Sequence, residues 1–242
     1  MRKLEELKTG KAKRLYNTDD ATVLWVEYLD QATALNGKRK EKIASKGALN
    51  NQIDCLLFNY LIQNGIATDF IRQVSATEQL IHPVKMIPLE VVVRNLASGS
   101  FQRKFATTYL QPLSRPIVEL FYKSDALDDP FINDDQVEVL GLASAAELAA
   151  IKQLALKINQ LLQSRFAQAN LTLVDFKIEV GYLAGQLVLA DEISPDSCRL
   201  VDQTTQASLD KDVFRKQTGD LTTVYQEVLT RLQNSEVAHV SR

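Results

Sequence analysis

The chain has 242 residues, 45% of them apolar and 24% charged, which fits one large or two modest globular domains and excludes a fibre or a disordered tail. Its 28 Lys plus Arg against 30 Asp plus Glu leave a formal charge of -2, so bulk nucleic-acid binding is disfavoured and any anionic ligand must be met by a local cluster. Cys55, Cys198, His82 and His239 are too scattered for a zinc site. The two thiols suit a reducing cytoplasm, although counting leaves one disulfide open. The charged start and the lack of an apolar run of roughly 18–20 residues lead us to expect a soluble, unsecreted, cytoplasmic protein without membrane contact.

In chain order, the first signal is a β-hairpin between Leu15 and Leu29, with turn residues Asn17-Thr18-Asp19-Asp20 before Val23-Leu24-Trp25-Val26. Residues Ala48 to Gln63 place Leu49, Ile53, Leu56, Leu57, Tyr60 and Leu61 at helical spacing, and Asn64-Gly65 stops the helix. Short strands are expected near Phe70–Val74 and Gln79–Ile81. Pro83 and Pro88 then interrupt any regular ladder, which places a lobe boundary there. Past it, Leu89–Arg94 is a β-branched strand that delivers Arg94 into the small-residue loop Ala97-Ser98-Gly99-Ser100. The strongest helix signal is Ala145–Ala169, with Leu148, Ile151, Ala155, Ile158, Leu162 and Phe166 on one stripe. A shorter helix is expected over Asp220–Leu232, followed by a frayed polar end from Asn234.

The most informative stretch is Leu171–Gly181 followed by Gln186–Ile193. Strand alternation puts Val174, Phe176, Ile178 and Val180 on one face and Asp175, Lys177 and Glu179 on the other. Gly181 and Gly185 are expected to allow the turn, and Asp191 or Glu192 then joins the charged row according to register. The competing reading is a solvated face whose charges pair across the hairpin. The continuation Asp191–Arg199 favours a site, because oxygen ligands without His or Cys suit Mg²⁺ carrying nucleotide phosphates.

Gly10-Lys11-Ala12-Lys13 has the chemistry of a phosphate turn: glycine permits close backbone approach, and lysines two apart on extended chain point the same way. It lacks the spacing of a Walker A loop, and a solvated basic turn competes with it. Arg94 with Ser98-Gly99-Ser100 offers a guanidinium fork and hydroxyls for a phosphomonoester, against a structural arginine. Asp128-Asp129-Pro130 and Asn133-Asp134 can bind sugar hydroxyls or merely turn the chain. Lys211 and Arg215 lie near a helix start, where they can recruit an acidic substrate or pair on the surface.

Taken together these motifs resemble the SAICAR synthetase (phosphoribosylaminoimidazole-succinocarboxamide synthase) family. The matching segments are Gly10–Lys13, Lys46-Gly47, Pro88–Asn95, Gly99-Ser100, Asp128–Pro130, Leu173–Glu179, Asp191–Asp196 and Asp210–Asp212, in family order across almost the whole chain. The resemblance implies an α+β, two-lobed fold related to ATP-grasp enzymes and protein kinases, with an antiparallel sheet in each lobe and flanking helices. It implies a β-rich nucleotide lobe over 1–83 and an α+β lobe over 84–242, with adenine held at the link, near Val84 and Met86. The implied reaction joins carboxyaminoimidazole ribonucleotide to L-aspartate in purine biosynthesis, at the expense of ATP and through an acyl phosphate.

By the same resemblance Gly10, Lys11, Ala12 and Lys13 meet the ATP phosphates, Glu179 and Asp191 hold Mg²⁺, and Arg94, Ser100 and Arg199 grip the ribonucleotide phosphate. Asp129, Lys177, Asp196, Lys211 and Arg215 surround the remaining substrate groups, with Asp175 or another acid as the base for the aspartate amine. A homodimer is implied as well. Asp30-Gln31 and Asn36 depart from the family pattern, as do Val180 and Val201, which read as packing changes. A small-molecule kinase, or a nucleotide-binding regulator without turnover, is the rival reading.

Overall fold

The structure is a computed structural model, which describes residues 1–34 and 39–240. Strands β1 (Lys3–Thr9), β2 (Lys13–Thr18) and β3 (Leu24–Tyr28) form a meander. With β6 (Phe70–Gln73) and β7 (Glu78–Ile81) they make an antiparallel sheet of order β1-β2-β3-β7-β6. The expected hairpin is β2–β3, its turn tied by Asp20, which accepts from the Thr22 N–H at 2.9 Å. Helix α1 (Lys46–Gln63) covers this sheet with Leu49, Ile53, Leu57 and Leu61, all buried. It begins two residues before the apolar pattern because Asp30 accepts from the Gly47 N–H at 2.9 Å, a cap supplied from outside the helix. A separate ribbon of β4 (Gln31–Ala34) and β5 (Arg39–Lys42) precedes α1. Asn36 lies outside the described residues.

The second sheet has the order β10-β9-β8-β11-β12, with β13 also paired to β11, all antiparallel. Its strands are β8 (Lys85–Leu96), β9 (Pro112–Tyr122), β10 (Phe131–Ile132), β11 (Leu171–Leu183), β12 (Gln186–Ala190) and β13 (Cys198–Asp202). Contrary to expectation, Pro88 does not end the ladder. Pairing jumps from Glu179↔Glu90 to Gly181↔Met86, so the proline sits in a bulge and β8 continues past it.

The hairpin turn also differs from its expected make-up. Ala184 and Gly185 alone form it, both at positive φ (48° and 83°), which is the two-residue geometry that suits a twisted ribbon. Gly181 stays in the ladder. A Cβ there would lie 2.5 Å from Val84 Cγ1 and 2.6 Å from the Lys85 carbonyl oxygen, so glycine is what lets the link between the sheets cross β11.

Helices α2 (Gly99–Phe105), α3 (Asp134–Val139), α4 (Ala145–Gln168), α5 (Asp212–Lys216) and α6 (Leu221–Val240) complete the fold. Ser144 and Glu147 close a capping box that starts α4, whose buried stripe is the expected one. Burying a side chain such as Ile151 or Leu162 contributes about 1.5–3 kcal/mol, so this face anchors the helix. It packs on β8, β9 and β11, while α1 packs on α6 and α4, and one hydrophobic core runs through them all. Helix α6 outlasts the expected frayed end. Buried Arg165 on α4 donates to Ser235 Oγ at 2.6 Å and to the Leu232 carbonyl at 2.7 Å, which ties that part of α6 down. Among the described residues no helix is long and apolar enough to cross a membrane. Cys55 and Cys198 are buried free thiols.

Candidate active site

Strand β11 is buried on both faces. Val174, Phe176, Ile178 and Val180 join the apolar core, and on the opposite face Asp175 and Glu179 are only 3% and 2% exposed. The solvated-face reading therefore fails. Register places Arg94, Val92 and Glu90 of β8 opposite Asp175, Lys177 and Glu179, and Ile117, Glu119 and Phe121 of β9 opposite those in turn. Paired residues share a face, so charges distant in sequence meet on one surface. A cleft of about 440 Å³ opens over it, with Arg94, Asp175 and Lys177 in its floor and Phe121, Asp129 and Arg199 in its walls. That is the size of a small-molecule site.

One end of the floor is an arginine corner. Arg94 donates from Nε to Glu119 at 2.7 Å, from Nη1 to Asp175 at 2.9 Å and from Nη2 to Ser100 Oγ at 2.9 Å. Arg199 donates to both Asp175 oxygens at 3.1 and 3.0 Å, and from Nε to Asp212 at 3.3 Å. Burial would raise Asp212, but Arg199 and Arg215 hold its pKa down at about 2. Gly99, at φ 56°, leaves room for this packing: a Cβ there would lie 2.8 Å from Arg199 Nη2. Asp175 thus joins two guanidinium groups. Both of its oxygens are engaged by arginine, which holds the Arg94 and Arg199 forks side by side.

The other end is built from lysines. The first turn is tighter than expected: the Gly10 N–H donates to the Lys13 carbonyl at 2.8 Å, and Lys11 and Lys13 do not reach a common partner. Lys13, on β2, donates to Asp191 Oδ1 at 2.5 Å and lies 3.7 Å from Glu192. Lys11 reaches Asp125 at 2.8 Å in an exposed pair. Gln31, one of the departures from the family pattern, donates to the Lys11 carbonyl at 3.0 Å and so supports the turn. The ladder ends at Glu179↔Ala190, so the register itself selects neither carboxylate; Asp191 leaves β12 at φ 73°, and both Asp191 and Glu192 face Lys13.

Lys177 bridges Glu90 at 2.8 Å and Glu179 at 3.3 Å, and Lys123 covers the other Glu179 oxygen. Burial would raise Asp191, but Lys13 and Lys177 outweigh it and hold its carboxyl well below the usual range. Burial would likewise lower Lys13 and Lys177, and the surrounding carboxylates keep both charged. The donors are all oxygen, which suits a hard cation. Among the described residues no three Asp, Glu, His or Cys side chains close on one point as a metal centre. Two carboxylates, with phosphate oxygens and water completing the shell, are the usual arrangement for Mg²⁺, so Glu179 and Asp191 fit it.

The remaining expected residues sit on two supports. Asp196 accepts from Lys46 at 2.7 Å, Lys211 at 3.2 Å and the Tyr225 hydroxyl at 2.5 Å, at the cleft edge. Burial, with Lys46 and Arg215 beside it, holds Lys211 below the ordinary lysine value. Arg215 lines the cleft and pairs with Asp212 at 2.6 Å. Asp129 lines it too, anchored by the Ser124 N–H at 2.8 Å, whereas Asn133 caps α3 and Asp134 pairs with Lys152 away from this cleft. Val84 lies over Gly181 at the link, and Met86 pairs with Gly181 in the ladder. Behind the loop, Asp54 of α1 accepts from Tyr28, Gln79 and the Ile193 N–H.

Lys123, Glu119, Tyr225 and Asp54 escape sequence reasoning, and Asp212 shows there only as part of the Asp210–Asp212 segment. Each is a lone charge or hydroxyl in an unremarkable segment. Only Glu119 carried a signal, through its alternation with Ile117 and Phe121 on a strand whose register was not readable.

Comparison with known proteins agrees with this geometry. A family model described as SAICAR synthetase matches residues 6–232. The phosphoribosylaminoimidazole-succinocarboxamide synthase of Pediococcus pentosaceus is 64% identical over 237 residues, covering 98% of each chain. The crystal structure of the Ehrlichia chaffeensis enzyme of the same name superposes with a TM-score of 0.93 at 40% identity, over 95% of this chain and 98% of that one. A SAICAR synthetase solved in complex with ADP gives a TM-score of 0.91 at 43% identity, with the same coverage of each chain. Since sequence and fold agree along nearly the whole length, the chain belongs to the SAICAR synthetase family and carries out that family's ligation in purine biosynthesis.

Proposed function

We propose that the cleft binds ATP and carboxyaminoimidazole ribonucleotide end to end on the β8–β11 face, with L-aspartate entering beside them. The observation that carries this is the co-location of an arginine corner and a lysine–carboxylate row on one buried sheet surface. ADP in the solved relative supports the nucleotide half. In this reading residues 1–83 and 84–242 act as two lobes, adenine lies at Val84 and Met86, and the triphosphate runs from the Gly10–Lys13 turn towards Asp191. Glu179 and Asp191 would hold Mg²⁺, which neutralises phosphate charge when bound.

Arg94, Ser100 and Arg199 take the ribonucleotide phosphate. The guanidinium groups are already fixed by Glu119, Asp175 and Asp212, so little ordering is left to be done on binding. An oxygen of the substrate carboxylate attacks the γ-phosphorus and ADP leaves, giving an acyl phosphate. Asp175 or another acid of the cleft takes a proton from the aspartate ammonium, the amine attacks the acyl carbon, and inorganic phosphate leaves with the second proton. Lys13 and Lys177 stay protonated beside these oxygens and stabilise developing charge without a proton transfer. Asp196, Lys211, Arg215 and Asp129 at the cleft edge orient the imidazole and aspartate groups.

The test is ADP release with each substrate omitted in turn. The ligase reading expects ADP and phosphate only with aspartate and the ribonucleotide both present, and ADP formation indifferent to aspartate would favour a kinase. We further propose a homodimer, checked by light scattering of the purified chain.

A further inference from the structure

The contact between Lys123 and Glu179 has no place in the mechanism above. Lys123 stands directly after β9, two residues on from Phe121, and its N–H donates to the Pro88 carbonyl at 3.0 Å in the β8 bulge. The next N–H, of Ser124, is held by Asp129. The backbone is therefore pinned while the side chain, 45% exposed, reaches down to a carboxylate only 3% exposed. Glu179 has a cation on each oxygen. Lys177 is held a second time by Glu90, so Lys123 is the partner with the freedom to leave.

Its surroundings say where it would go. Asp125, two residues on from Lys123, pairs with Lys11 at 2.8 Å, so the chain after β9 runs beside the Gly10–Lys13 turn. A divalent cation at Glu179 repels the Lys123 ammonium, and a polyphosphate on that turn attracts it. We propose that Lys123 is a further phosphate-binding residue of the ligation. It pairs with Glu179 in the nucleotide-free protein and exchanges it for the terminal phosphates of the nucleotide when a divalent cation takes Glu179. This rests on the reading that Glu179 holds the metal.

The exchange predicts effects of opposite sign. Removing the ammonium takes a competitor from Glu179 and a ligand from the phosphates. Lys123→Met should therefore bind Mn²⁺ alone, without nucleotide, about tenfold tighter by titration calorimetry or electron paramagnetic resonance. The same variant should show a raised KM for ATP and a lowered kcat. Glu179→Gln serves as the control and should weaken Mn²⁺ binding. If it does so while Lys123→Met leaves Mn²⁺ affinity unchanged or weaker, or leaves the ATP parameters unchanged, the exchange is wrong and the metal assignment stands. If Glu179→Gln leaves Mn²⁺ affinity untouched, the metal assignment falls and the exchange falls with it.

Discussion

At one end of the cleft floor Arg94 and Arg199 share Asp175, and each has a second carboxylate, Glu119 for one and Asp212 for the other. Further along, Lys13, Lys123 and Lys177 meet Asp191 and Glu179, and of these side chains Lys177 lines the cleft. Both ends gather cations for anionic oxygen, but the side chains differ in what they permit. A guanidinium is a planar fork that can be fixed by one set of partners and still present its edge to a phosphate; an ammonium is a point charge that can change partner. The arginine end is suited to a group that does not react, and the lysine end to one whose charge moves during phosphoryl transfer.

The largest effect should come from the lysine end. Asp191→Asn removes a charge that Lys13 and Lys177 hold ionised, and kcat should fall about 10²–10³-fold, the usual scale for losing one preorganised electrostatic contact. Asparagine tolerates the φ of 73° that Asp191 adopts, so the melting temperature should stay close to that of the parent. Near-normal turnover would refute the metal assignment, and a collapsed melting transition would show that the residue is structural.

At the arginine end the expected change is in binding. Arg199→Lys should raise KM for the ribonucleotide about 10–100-fold with a smaller change in kcat, because an ammonium cannot reproduce the fork. Arg94→Lys should do the same and also destabilise the protein. Its side chain is 4% exposed against 22% for Arg199, and without the fork Glu119 would be left unpaired in the interior while Asp175 keeps Arg199. Glu119→Gln should have a milder effect of roughly three- to tenfold on the same KM, since Gln still accepts from Arg94 Nε but without charge. If all three variants left KM unchanged and altered only stability, the arginine corner would be a structural knot and the comparison between the two ends would dissolve.

How much of this could be read in advance follows from locality. Helices α1 and α4 show in the sequence because a buried stripe recurs within one element, and Asn64-Gly65 marks an end with local chemistry. The alternation of Asp175, Lys177 and Glu179 is equally local. Whether that row faces water or a cleft depends on what β8 and β9 bring beside it, and register between strands some 80 residues apart leaves no local trace. Glu119 and Lys123 became visible only once β9 was paired, and the Pro88 bulge only once Met86 was seen opposite Gly181. Asp30 and Gln31, which depart from the family pattern, cap α1 and support the Lys11 turn through contacts no spacing rule encodes.

The smallest expected effect on turnover lies behind the lysine end. Asp54 is fully buried, and burial pushes its pKa from 3.8 up to about 7 against the opposing pull of Lys13. The unfolded chain ionises this group above pH 3.8 while the folded protein keeps it neutral until about pH 7. Folding is therefore penalised progressively as pH rises through that window, by roughly 4 kcal/mol at most, and the penalty is constant above it. Asp54→Asn removes the titration. Its oxygen can still accept from the Ile193 N–H, and its amide can donate to Tyr28 once that hydroxyl turns to accept. The absolute stability of the variant mixes these changes, so the informative quantity is the difference between parent and variant in urea unfolding at pH 5, 6, 7 and 8. That difference should tilt against the parent up to about pH 7 and then level off. A difference that does not vary with pH would mean that Asp54 is ionised throughout, held as an anion by Tyr28, Gln79 and the Ile193 N–H, and the lysine end would then carry one more fixed negative charge than the geometry described above allows.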